Sequence, residues 1–102
     1  MKAEELSLLA SALSDTNRIQ ILKMLASKEL CACHILSYLG ISQPTLSYHM
    51  KLLTEAGLVC ASRRGKWTFY SISRDRLNAS AQAINEIPEE AIEDIPEMEC
   101  VD

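Results

Sequence analysis

Cys31-Ala32-Cys33 sets two soft sulfur donors one residue apart, where a single thiophilic ion such as As(III), Sb(III), Cd(II) or Zn(II) can take both. The apolar spacing around them predicts that they open a short helix, where backbone N–H groups and the helix dipole favour thiolate over thiol. Residues two apart on a regular helix point about 200° from each other, so both sulfurs grip one ion only if the first turn frays or bends. An ion that favours the bent turn then acts as a switch on whatever the helix positions. The plainer reading is a pair of buried, inert thiols. Cys60 is expected in the core side of a strand. Cys100, on an acidic tail, can swing in as a third thiolate from either subunit of a dimer, and His34 is a conceivable ligand that its helical position aims elsewhere. Two histidines and scattered serines offer no nucleophile, base and stabiliser at a recognisable spacing, which argues against an enzyme.

A second set of residues suits DNA. Ser42 opens a run in which Gln43, Thr45, Ser47, Tyr48 and Lys51 can meet base edges or backbone, with His49 among them as a DNA-side or structural residue. Arg63, Arg64 and Lys66 cluster at a turn and supply the salt-dependent attraction to phosphates. Trp67, Phe69 and Tyr70 are read as packing against helices, since aromatics in a short hairpin usually do so.

The elements that must position these groups follow from periodicity and caps. Leu6, Leu9, Ala10 and Leu13 mark an amphipathic helix over Ala3 to Leu13, and Asp15-Thr16-Asn17 cap a second over Arg18 to Ala26, with Ile19, Leu22, Leu25 and Ala26 on one side. A third, short helix spans Glu29 to its stop at Gly40, with Ile35, Leu36 and Leu39 inward. Ser42 caps a fourth, with Pro44 in its first turn and Leu46, Met50 and Leu53 inward, running to about Ala56 before Gly57. Leu58 to Ser62 and Lys66 to Ile72 are β-rich runs about a cationic tip, and Ser73 caps a last helix from Arg74 to Asn85, ahead of Pro88. Leu77, Ala81 and Ile84 share one face of that helix. Two short helices joined at Gly40 and followed by a hairpin form a winged helix-turn-helix, a mainly α fold with a small β-hairpin.

Composition bounds the rest. The chain of 102 residues carries 10 basic and 14 acidic side chains, a net charge of −4, with three Gly and three Pro, as befits one small domain. The charge is uneven. Residues 1–85 hold all ten basic and six acidic residues, whereas residues 86–102 hold eight acids and no Lys or Arg. A DNA-binding body over residues 1–86 and an acidic, solvated tail over 87–102 are therefore expected. Charges interrupt the first thirty residues well short of the ~18–20 apolar residues of a membrane span, so a cytoplasmic protein with reduced thiols and no membrane partner is expected.

Glu29-Leu30-Cys31-Ala32-Cys33, the run from Ser42 to Leu53, Ala56-Gly57-Leu58-Val59 and Gly65-Lys66-Trp67-Thr68-Phe69-Tyr70 closely resemble the ArsR/SmtB family of metal-sensing repressors, over residues 5 to 85. The resemblance to its arsenic branch implies a dimeric repressor on double-stranded operator DNA. It also implies release when trivalent arsenic or antimony binds the thiolates, with no constitutive cofactor. By the same likeness the first and last helices form the dimer interface. The branch's best-known pattern has a third cysteine three positions after the second, and that position here is Leu36. Cys100, an exogenous thiol or nothing fills the third place. Cadmium and lead sensors of the family add an N-terminal cysteine, and zinc sensors use His and carboxylates on the last helix; neither His on that helix nor cysteine before Cys31 occurs here. The alternative keeps the DNA binding and makes the cysteines a sensor of thiol oxidation or of Cd, Pb or Zn. A winged helix that binds a protein instead of DNA is the rival of another class.

Overall fold

The computed structural model describes residues 1–97. The elements run α1 (Ala3–Ala12), α2 (Thr16–Leu25), β1 (Leu30–Cys31), α3 (Ala32–Leu39), α4 (Gln43–Glu55), β2 (Val59–Arg64), β3 (Trp67–Ile72) and α5 (Arg74–Asn85), then a 3₁₀ turn at Ile87–Glu89. The expected caps form. Asp15 accepts the N–H of Arg18 at 3.1 Å, Ser42 that of Thr45 at 3.3 Å and Ser73 that of Arg76 at 3.3 Å, which satisfies donors a helix start leaves free. Gly40 ends α3 in the left-handed region at φ 65°, its N–H donating to Leu36 O at 2.9 Å. That turn sets α4 against α3.

One expected element is different. The segment before Ala32 is not the start of α3 but an extended pair, Leu30 opposite Tyr70 and Cys31 opposite Phe69, antiparallel to β3. The hairpin thus becomes a three-stranded sheet of order β1-β3-β2, because β3 has a free edge that this segment fills. Strand β2 also runs further than expected, through Arg63 and Arg64, so the hairpin turn falls at Gly65 and Lys66.

Leu9, Ile21, Leu25, Ile35, Leu53 and Leu58 are the largest fully buried side chains, and each such burial contributes about 1.5–3 kcal/mol. They come from α1, α2, α3, α4 and the approach to β2, so one core fixes the helix-turn-helix to the sheet. Leu46, Met50 and Leu53 line the inner face of α4 as expected. On α5 the buried residues are Ser80 and Ala83, while Ala81 and Ile84, expected to share a face with Leu77, are exposed. Likewise Ile19 on α2 is 40% exposed, and Ile21 takes the inward position beside Leu22 and Leu25. No helix among the described residues is long and apolar enough to cross a membrane.

Candidate functional site

Cys31 is the N-cap of α3, extended at φ −72° and ψ 147°, and its partner Cys33 lies inside the first turn. This break in helical geometry cancels the opposed directions expected of two residues on one helix. The sulfurs sit 2.9 Å apart, with Cys31 buried and Cys33 exposed. Metal–sulfur bonds of about 2.3 Å at angles of roughly 90–109° require sulfurs about 3.3–3.8 Å apart, a spacing the pair would reach by opening less than about 1 Å. No fraying of α3 is needed.

Protonation also differs from the expectation. The neighbouring Cys31 thiol pushes the Cys33 thiol above its ordinary value, desolvation adds to this, and the N–H groups of His34 and Cys33 oppose it only in part. The second thiol outweighs the helix start. Binding of a metal or metalloid must therefore expel a thiol proton from Cys33. Among the described residues no group of three His, Cys, Asp or Glu side chains is arranged to hold a metal. His34 is exposed and does not join the pair; Cys100 lies outside the described residues.

The thiols open on a groove of about 180 Å³ that Leu36 of α3, Gln43 at the start of α4, and Lys66, Trp67 and Thr68 of the wing also line. The pair is thus next to both elements expected to touch DNA. On α4, Gln43, Thr45, Ser47, Tyr48 and Lys51 form an exposed face, with Tyr48 at 59%. Ser42 is exposed as well, but its hydroxyl is engaged with the N–H and, at 2.8 Å, the hydroxyl of Thr45. That hydroxyl caps α4.

His49 requires correction. It is only 6% exposed, and its Nδ1 lies 2.9 Å from Nη1 of Arg18, so it faces the interior and not the groove of a duplex. Arg18 is itself buried and donates from Nε to Ala12 O at 2.8 Å. The pair ties the end of α1 to α4. Cys60 is corrected too, being exposed on β2, because Val59 points inward and side chains alternate along a strand. Of the wing aromatics only Tyr70 packs on the core cluster, while Phe69 is half-buried. Trp67 is 50% exposed, with Lys66 Nζ 5.3 Å from its ring.

Arg63, Arg64 and Lys66 are all exposed. Arg64 is held by Glu29 in a bond that joins the wing to the segment just before the thiols. Neither this pair nor Arg18 with His49 was visible in the sequence, since 35 and 31 residues separate the partners.

The model of the arsR family of bacterial regulatory proteins matches residues 15–60, the stretch from the cap of α2 to the second residue of β2. The arsenical resistance operon repressor of Staphylococcus aureus is 40% identical over 85 residues, which cover 83% of this chain and 82% of that protein. An ArsR-like transcriptional regulator from Rhodococcus superposes with a TM-score of 0.76 at 29% identity, over 85% of this chain and 80% of its own. The homodimeric winged helix-turn-helix DNA-binding domain of a Mycobacterium bovis protein does so at 0.69 and 28%, over 86% and 85%. With its helix-turn-helix, its wing and its likeness along most of the chain, this protein belongs to the ArsR family of transcriptional regulators.

Proposed function

We propose that the chain is a repressor that binds operator DNA as a homodimer and is released when trivalent arsenic or antimony takes the Cys31 and Cys33 sulfurs. The observation that carries this is the shared groove: the thiols adjoin Gln43 of α4 and Lys66 and Trp67 of the wing. Parting the sulfurs by less than about 1 Å strains β1 and the first turn of α3 without unwinding the helix, and β1 pairs with β3 of the wing while the groove is shared with Gln43 of α4. A hundredfold loss of operator affinity needs about 2.7 kcal/mol of such coupling, well within the reach of one local rearrangement. We place the dimer at α1, α5 and the 3₁₀ turn that follows, where Leu8 is 45%, Ile84 50% and Ile87 53% exposed and a groove is lined by Met1, Leu6, Ala83 and Ile87. Effector choice rests on the two-thiol set and on the named function of the relatives.

Cys31→Ser and Cys33→Ser should each bind the DNA upstream of the protein's own gene as the unsubstituted chain does, and neither should be released by arsenite. A variant still released normally removes the pair from the mechanism. A second reading, thiol oxidation, is favoured by the 2.9 Å approach of the sulfurs. There a peroxide takes two electrons from the two thiols, giving a disulfide and two waters from hydrogen peroxide. A loss of 2 Da on release without arsenic, read by mass spectrometry, would establish it.

A further inference from the structure

Glu29 has no part in the reading above. Its carboxylate meets Arg64 through both oxygens, Oε1 2.8 Å from Nη1 and Oε2 2.9 Å from Nη2, the forked arrangement in which a guanidinium also receives a phosphate. Phe69 supports the guanidinium from below, its ring centre 4.6 Å from Cζ. The sheet builds this contact. β1 brings Glu29 to the edge of β3 immediately before Leu30, and β2 delivers Arg64 opposite Trp67. Of the three wing cations, Arg63 has a 3.4 Å bond to Gly65 O and Lys66 lies over Trp67; among the described residues Arg64 is the one an acid holds.

We propose that Glu29 is an internal stand-in for a DNA phosphate, a positioning residue that competes with the duplex for Arg64 and so holds down operator affinity. The proposal rests on the wing being the phosphate-contacting element. A guanidinium forked on a carboxylate cannot fork a phosphate at the same time, so DNA must displace Glu29 and then bear its charge nearby. Both side chains are partly exposed, 55% for Arg64 and 35% for Glu29, which keeps the pair weak enough to open. Glu29 also lies two residues before Cys31, so the segment that leads directly into the thiol-bearing strand carries the carboxylate that restrains the wing.

The test is Glu29→Gln, which keeps the size and removes the charge, measured by anisotropy on a duplex of the protein's own upstream DNA over a range of salt. At moderate salt the variant should bind about 1.5-fold to 5-fold more tightly for each wing engaged. The plot of log affinity against log salt should steepen by about 0.9 for each Arg64 that gains a phosphate. Arg64→Gln should itself weaken binding and flatten the salt slope, and in the double variant Glu29→Gln should give no further gain, which a purely structural role of Glu29 would not produce. Far-UV circular dichroism checks that each variant is folded. Glu29→Gln binding no tighter at an unchanged slope, or more weakly, overturns the proposal while leaving the DNA reading in place. An unsubstituted chain that binds no DNA overturns both.

Discussion

Replacing Arg18 by Met should cost about 3–5 kcal/mol of stability, because two buried acceptors lose a charged donor at once. The Arg18 side chain is 7% exposed and donates to Ala12 O at 2.8 Å, to His49 Nδ1 at 2.9 Å and, more weakly, to Ser11 O at 3.4 Å. A guanidinium has donors only, so Nδ1 is the acceptor in this bond. Methionine fills much of the space of the stem but satisfies neither acceptor. Each short bond contributes about 1.5–3 kcal/mol, the long one little, and relief of the guanidinium's own desolvation offsets part of the loss. In a domain of this size 3 kcal/mol lowers the midpoint of thermal unfolding by at least about 12 °C. The assay is urea unfolding at a fixed protomer concentration, followed by circular dichroism and Trp67 fluorescence. His49→Leu should also destabilise, and the double variant should cost at least about 1 kcal/mol less than the two single losses combined. A loss below about 1 kcal/mol for Arg18→Met, or strict additivity, would refute the reasoning.

Three further outcomes follow from local geometry. Asp15→Ala should cost about 1 kcal/mol at neutral pH, as loss of an N-cap does. Partial desolvation would raise the Asp15 carboxyl, but the N–H of Arg18 and nearby positive charge outweigh it and hold the group below its ordinary value. Its contribution is therefore complete above the ordinary carboxylate range and fades as pH falls through the lower folded value, so urea unfolding at pH 7 and pH 3 should show the gap between variant and parent shrinking. Gly57→Ala should cost about 1–2 kcal/mol in the same assay, since φ is 78° and a new Cβ would meet Arg76 Nε at 3.3 Å. Lys66→Gln should weaken binding to every duplex alike and flatten the salt dependence by about 0.9 per wing, whereas Gln43→Ala should relax discrimination between operator and mismatched DNA by about 1–3 kcal/mol.

The helix-turn-helix was legible because its signals are local. Ser42, Pro44 and the Leu46, Met50, Leu53 spacing define α4 without reference to any distant residue, and Gly40 marks the turn that precedes it. The thiol pair was legible as chemistry but not as geometry. Leu30 and Cys31 are too few to show alternation, and what makes them a strand is the edge of β3 some forty residues on. The orientation of His49 was hidden for a similar reason: helical position alone leaves it beside the exposed face, and Arg18 decides that it turns inward. Cys60 was recoverable, since an inward Val59 obliges an outward neighbour. Trp67 stands at the hairpin turn, where an aromatic side chain runs out of helix to cover it.

The most direct test of the account is fluorescence anisotropy of the reduced protein on its own upstream DNA, titrated with arsenite at fixed salt. Release at about one arsenite per protomer, with Cys33→Ser retained on the same duplex throughout the titration, is the predicted result. A complex that stays intact while the reduced chain is saturated with arsenite would contradict the thiol switch and leave the ArsR-family fold without its proposed signal.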